Sequence, residues 1–564
     1  MKFKDMKYER PNIKEYEKTF SELFEKFEKA ESFEKQDSLM KEINELRNEI
    51  ETMGTIASIR HTVDTTDKFY EEEQNYFDEN VPIYEGSISK YYNILVNSKF
   101  RNELEEKWGK QIFNIAEMTI KTFSPEIIED LQKENKLSSE YTKLIASAKI
   151  MFEGEERNLS QLTPFQQSTD RNMRKRAWEA KTDFLKEHEK DIDEIYDKLV
   201  KVRTKIAKKL GYKNFIELGY ARLNRSDYNA EMVANYRKQI EKYIVPVAIK
   251  LRERQAKRLG LDKLKYYDER FSFKTGNAKP HGDPDWILNN AIEMYNELSP
   301  ETKEFFNFMT ENELMDLVSK KGKAGGGYCT FMPKYKAPFI FSNFNGTAGD
   351  VEVLTHEGGH AFQVYTSRNY ELPEYCWPTL EACEIHSMSM EFLTWPWMNL
   401  FFEEDTDKFK FNHLSESLLF IPYGVAVDEF QHFVYENPDV SPDERKRAWR
   451  EIERKYLPHR DYEENDFLER GGFWFQQSHI FNVPFYYIDY TLAQVCAFQF
   501  WNKSQKDREN AWKDYLNLCS AGGSKSFLEL LKVANLISPF EDGCLSSVIG
   551  NIENWLNSVD DTKF

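Results

Sequence analysis

His356, Glu357, Gly358, Gly359 and His360 form an H-E-x-x-H pentapeptide. On a helix, side chains four residues apart project from one face, so the two imidazoles can grip a single metal ion. The intervening glutamate reaches the same point and is placed to take a proton from an attacking water. With only ten histidines in 564 residues, a chance match somewhere in the chain has odds of roughly a few per cent. The plain alternative is a helix that happens to carry two histidines.

A catalytic zinc site needs three protein ligands and one open position. The longer H-E-x-x-H-x-x-G-x-x-H pattern is excluded, because Gln363 and Thr366 stand at its later positions. The third ligand is therefore expected to be a carboxylate on a following helix. Glu381, Glu384 and His386 compete in one short segment. Glu384 and Glu391 lie two turns apart on a shared face, so Glu384 can bind the ion while Glu391 hydrogen-bonds a ligand histidine. Glu381, one turn earlier, can exchange roles with Glu384, and His386 points off that face. Spacing alone leaves this choice open.

The elements that must position these groups read as helices. Residues 12–55 form two amphipathic helices, with Leu39, Ile43, Leu46, Ile50 and Met53 recurring at helical spacing. The pattern continues from Thr66 to Asn135 with breaks expected at Pro82 and Pro125. Between residues 160 and 260 the chain is helical and highly charged. Its basic stretch Asp170–Trp178 reads as a solvated helix face rather than an anion site, and Leu210-Gly211-Tyr212 reads as a helix end closed by glycine. No linker, low-complexity tract or repeat interrupts the chain, which implies one mainly α body.

The exception lies between Ser319 and Gly349. The glycine-rich run from Lys321 to Cys329 precedes Ala337–Phe344, which reads as a strand with proline at its start. The run lacks the G-K-[ST] ending of a phosphate loop. A small β-sheet next to the metal helix follows, either a plain hairpin or an edge at which Gly326, Gly327 and Tyr328 receive an extended substrate backbone. Asp350 is expected as the N-cap of the helix that carries His356.

Composition narrows the function. A net charge of −19 argues against nucleic acid as a partner. The six cysteines form no C-x-x-C pair and read as reduced thiols of a cytoplasmic protein. No leader or membrane-spanning run is visible, so no membrane partner is expected. The oligomeric state is not legible.

From about Asp170 to Ser547 the chain resembles the thimet oligopeptidase and oligoendopeptidase F family of zinc metallopeptidases, nearest its bacterial oligoendopeptidase F and Pz-peptidase branch. The resemblance is carried by Lys209–Tyr212, Gly325–Thr330, Ser342-Asn343-Phe344, Asp350-Val351 and the pentapeptide. Asp428–His432, His479, Phe485–Tyr490 and Gly522-Gly523-Ser524 extend it. It implies one zinc ion per chain held by His356, His360 and Glu384, with Glu391 behind them. It also implies Glu357 as general base, and His479, Tyr490 and Tyr486 as groups over the scissile carbonyl. The segment reads Phe-Tyr-Tyr-Ile-Asp-Tyr where Phe-Tyr-x-Tyr-x-Tyr is usual, which leaves the roles of the tyrosines open. The implied fold is a helical ellipsoid of two halves around a deep substrate channel. Residues 1–160 would form one wall and residues 161–564 the catalytic region. The implied substrates are short unfolded peptides, and proline-containing or collagen-derived ones fit the Pz-peptidase branch.

Three rivals remain. A di-iron carboxylate bundle would use Glu357-x-x-His360 and Glu429-x-x-His432 with Glu384 and Glu391, but leaves His356 without a role. A catalytically inactive peptide-binding scaffold is opposed by a full catalytic complement. An aminopeptidase is opposed by the lack of a G-x-M-E-N motif.

Overall fold

The computed structural model describes residues 1–320 and 322–564; Lys321, at the head of the glycine-rich run, lies outside them. The molecule is mainly α. Two amphipathic helices open it, Ile13–Lys29 and Phe33–Val63, capped by the side chains of Asn12 and Ser32. The next helix, Lys68–Val96, runs on through position 82, so the break expected there does not occur. A break does fall before Pro125, where Ser124 caps a short turn that leads into the helix Ile128–Ala146. As the glycine predicted, the helix Glu189–Lys209 ends in a left-handed Gly211 (φ 84°), with the Tyr212 N–H returning to the Ala207 carbonyl.

Two apolar clusters organise the body. One joins the first helices through Phe20, Phe24, Ile43, Tyr91 and Phe113, and includes Leu372 and Tyr375 from the C-terminal part. The other is far larger and takes in Ile127, Leu137 and Tyr141 around the Ile128–Ala146 helix. The N-terminal helices contribute to both clusters, since Met6, Ile56 and Ile59 belong to the larger one. The basic helix Arg171–Glu187 departs from expectation: Arg174 is buried, and both Arg171 and Arg174 reach the buried Asp268 at 2.7 Å. A fully buried carboxylate requires paired cations, so Arg174 belongs to an internal ion pair, while Arg171, Lys175 and Arg176 of the same stretch stay partly solvated.

Strands β1 (Ile150–Phe152) and β2 (Glu155–Arg157) form a small hairpin. Strands β3 (Met315–Val318), β4 (Tyr328–Met332) and β5 (Ala337–Phe344) form a sheet in the order β3-β5-β4. β5 pairs parallel with β3 and antiparallel with β4, Cys329 opposite Ile340. The central β5 is almost wholly buried and leaves β4 at an edge. Lys323 locks the preceding loop, donating to Asp316 and to the carbonyls of Val318 and Ser342.

Candidate active site

Two helices build the floor of the site. The motif helix, Gly349–Ser367, follows β5 after a tight turn. Asp350 is not its N-cap, as expected from sequence, but sits in the first turn. Its carboxylate reaches back to accept from the N–H groups of Asn345 and Gly346 at 2.8 Å, fixing the strand-to-helix turn. The glutamate helix, Leu380–Leu393, packs across the motif helix at Gly359. A β-carbon there would lie 2.7 Å from the His386 carbonyl oxygen, so this approach requires glycine inside the pentapeptide.

The approach brings His356, His360 and Glu384 together, their donor atoms all within 4.8 Å of one another. Glu384 Oε2 lies 3.4 Å from His356 Nε2 and 3.6 Å from His360 Nε2. A tetrahedral ion with bonds of about 2.0–2.1 Å needs donors roughly 3.4 Å apart, so the three residues fit a metal. Glu391 accepts from His356 Nδ1 at 2.7 Å, which turns Nε2 toward the common centre. Its other oxygen meets His413 Nε2 at 2.7 Å, and Trp395 donates to His413 Nδ1 at 3.1 Å.

Charge follows this network. Burial opposes ionisation of Glu384 and Glu391, yet their histidine partners hold both carboxyls down at about 2. Burial lowers His360 to about 4, which keeps it neutral and able to ligate. Glu381 does not join the site. Burial and the neighbouring Asp489 raise its carboxyl to about 8, and the geometry favours Glu384. His386 packs in the core against Tyr515.

Glu357 lies at the edge strand. It accepts from the Cys329 N–H, and burial, first among several causes, raises its carboxyl to about 7. Gly327 is pressed to the same place: a β-carbon would lie 3.2 Å from Val353 and 3.7 Å from Glu357 Oε1. Gly326 takes φ 89° and its carbonyl accepts from Asn343 at 2.8 Å. Tyr328 stacks on Phe341 at 4.7 Å and shares a 2.6 Å hydrogen bond with Thr62 of the N-terminal helices. Two further contacts join that region to the loop: Thr65 N–H to the Gly322 carbonyl, and Ala324 N–H to the Thr62 carbonyl.

The aromatic segment forms the opposite side. Tyr486 donates to Glu384 Oε1 at 3.3 Å, and its ring lies 4.9 Å from that of Tyr490. His479 stands 5.8 Å from Tyr486 and 5.9 Å from Tyr490, ring to ring. Gln477 Nε2 donates to His479 Nδ1 at 2.8 Å, while Gln477 Oε1 accepts from Tyr423 at 2.9 Å. This arrangement leaves His479 Nε2 as the protonated donor. Burial raises the Tyr490 phenol to about 12 and keeps it a donor. Phe485, which opens the segment, has φ 68°, a conformation that costs a bulky residue about 1–3 kcal/mol. It is held by Arg225, which donates to its carbonyl at 2.6 Å, and by Gln431, which accepts from its N–H at 2.9 Å.

Sequence reasoning missed His413, Trp395, Gln477, Tyr423 and Arg225, which no local motif joins to the pentapeptide. It also missed Trp377, whose ring lies 6.5 Å from His360. Glu429 and His432, the second pair of the di-iron reading, are engaged elsewhere. Glu429 accepts from Lys455 at 3.0 Å, and His432 lies 3.1 Å from the Tyr220 hydroxyl.

The helical fold, the pentapeptide with its third carboxylate and the facing donors define a metallopeptidase. Residues 165–548 match the model of peptidase family M3, and residues 3–123 match the peptidase M3 N-terminal domain. The chain belongs to peptidase family M3. It is similar to a structure of Pz peptidase A with an inhibitor, at 67% identity over all of both chains and a TM-score of 0.94. An oligoendopeptidase F homolog of Borreliella burgdorferi is 24% identical, covering 94% of this chain and 93% of that one. The fold also matches oligoendopeptidase F of Enterococcus faecium at 15% identity, covering 97% and 98% of the chains with a TM-score of 0.64. Among the described residues no helix is long and apolar enough to cross a membrane.

Proposed function

We propose that the chain is a zinc-dependent endopeptidase that hydrolyses internal bonds of short unfolded peptides in the cytoplasm. The observation that carries this reading is the convergence of three donors at ion-binding spacing beside a carboxylate, Glu357, that lies against a free strand edge. His356, His360 and Glu384 would hold one zinc ion. When bound, zinc would polarise the scissile carbonyl and acidify a water. Glu357 takes the proton from the attacking water and passes it to the departing amine, a task suited to a carboxyl poised near neutrality. His479 Nε2–H and the Tyr490 hydroxyl donate to the carbonyl oxygen as charge develops on it. Tyr486, bound to Glu384, orients that carboxylate and is the second phenolic donor. β4, with Gly326, Gly327 and Tyr328, receives the peptide backbone by strand addition. In this reading residues 1–160 supply one wall of the channel and residues 161–564 the chemistry.

The test is cleavage of an internally quenched, end-blocked peptide by the wild type and by Glu357→Gln, with bound metal assayed in both. Internal cleavage by the wild type, lost in a variant that keeps one zinc, is the expected result. Equal behaviour of the two proteins, or two irons in place of one zinc, would overturn it.

A further inference from the structure

A cavity of about 390 Å³ lies between the N-terminal helices and the end of β4. Glu51 of the helix Phe33–Val63, Phe77 and Tyr84 of the helix Lys68–Val96, Phe331 of β4, and Trp377 line it. Phe77 and Phe331 are buried, Tyr84 and Trp377 half-buried, so the walls are mostly aromatic. Glu51 brings charge to them. It is half-buried, accepts from the Tyr84 hydroxyl at 2.8 Å, and among the described residues has no ammonium or guanidinium within 4.0 Å. Arg47, the cation that acts on it, is bound to Glu374 at 2.7 Å. Lys334, next to the lining Pro333, is bound to Glu49 at 3.1 Å. Glu85 lines the same cavity and, among the described residues, also lacks an ion-pair partner. The cavity therefore sets uncompensated negative charge against apolar walls.

Two contacts place this cavity next to the chemistry. The Trp377 ring lies 6.5 Å from that of His360, and Trp377 packs with Phe331, Cys376 and Val364 of the motif helix in one apolar cluster. Phe331 also stands two residues beyond Cys329, whose N–H is accepted by Glu357. At a rise of about 3.3 Å per residue, the cavity wall begins roughly 7 Å along the edge strand from the general base. Backbone groups two residues apart on a strand point the same way, so a peptide added to this edge that meets Cys329 also meets Phe331. Directly paired residues share a face. The substrate side chain opposite Phe331 is thereby turned toward the Phe331 ring and the cavity it lines.

We propose that this cavity is a subsite for one basic side chain of the peptide substrate, lysine or arginine, with its stem against Phe77, Phe331 and Trp377 and its head at Glu51. The proposal rests on the endopeptidase reading and adds a specificity to it: cleavage within about three residues of a basic residue. The methylene stem of such a side chain covers apolar surface while its charge stays at a carboxylate. An indole face adds cation–π attraction. A neutral side chain of the same length fills the walls but leaves Glu51 without its charged partner, and an acidic one meets like charge. The residue that sets this preference belongs to the N-terminal helices, outside the segment that holds the metal ligands.

The experiment uses an end-blocked, internally quenched peptide in which each position around the cleaved bond is set in turn to arginine, lysine, norleucine or glutamate. Mass spectrometry locates the cut. For the wild type, kcat/KM at one position near the cut is expected to be about tenfold higher for arginine or lysine than for norleucine, and lowest for glutamate. Glu51→Gln should bring the arginine-to-norleucine ratio to within about twofold, and Glu51→Lys should reverse the order of arginine and glutamate. Glu45→Gln removes an exposed charge of the same helix outside the cavity and should leave the ratio unchanged. Equal cleavage of the arginine and norleucine peptides at every position by the wild type overturns the subsite alone. So does a preference that persists in both Glu51 variants, or one that Glu45→Gln removes equally. Failure of the wild type to cut any end-blocked peptide overturns the endopeptidase reading, and the subsite with it.

Discussion

The floor and the aromatic side of the site hold their groups by different means. On the floor His356, Glu384 and Glu391 each have two or more partners. His356 meets Glu384 and Glu391, Glu391 meets His356 and His413, and Glu384 meets both histidines, Ser387 and Tyr486. On the aromatic side His479 hangs on Gln477, and the segment as a whole on a residue with positive φ pinned by Arg225 and Gln431. The floor is held by charge, which must be oriented before an ion binds. The aromatic side is held by shape, which only needs to bring donors to a developing oxyanion.

Substitutions can break or sharpen this contrast. Glu357→Gln tests the floor where it does chemistry: kcat is expected to fall by about 10²–10⁴ with metal content unchanged, measured by steady-state kinetics beside elemental analysis. Tyr490→Phe and His479→Ala test the opposite side. Each is expected to lower kcat by about 10²–10³ with KM and metal little altered, and a loss of metal would show that the two sides are not separate. Glu391→Gln should weaken metal binding by about 10- to 100-fold, read by competition with a chelator, since His356 would lose its orienting partner. The smallest effect belongs to Gln477→Leu. It should lower kcat about tenfold or less by freeing the His479 tautomer, and full metal affinity in that variant is the signature that distinguishes it from Glu391→Gln.

The same contrast explains what the sequence could convey. Ligands on one helix face are legible because their spacing is the geometry: His356 with His360, and Glu384 with Glu391. Even there, spacing could not separate Glu384 from Glu381, which is decided by how the glutamate helix lies against Asp489 and the motif helix. The helical architecture and the small sheet were equally legible from periodicity. His413, Gln477, Tyr423 and Arg225 were not, because they join the site only through long-range packing. Two local rules also failed. Position 82 does not stop the helix Lys68–Val96, and Asp350 serves the turn before the helix rather than the cap.

The bond between Thr62 and Tyr328, with the backbone pairs at Gly322 and Ala324, has a consequence for deletion mapping. Among the described residues none of the N-terminal helices supplies a side chain to the proposed metal and oxyanion groups, yet these helices hold the loop before β4 and so help set where the edge strand lies relative to Glu357. A shortened protein that begins after them could retain the metal and its ligands and still be inactive. Read naively, such a truncation would assign catalysis to a part of the chain that supplies none of the proposed catalytic groups. Supplying the missing helices as a separate fragment would expose the error by restoring turnover without adding any reactive residue.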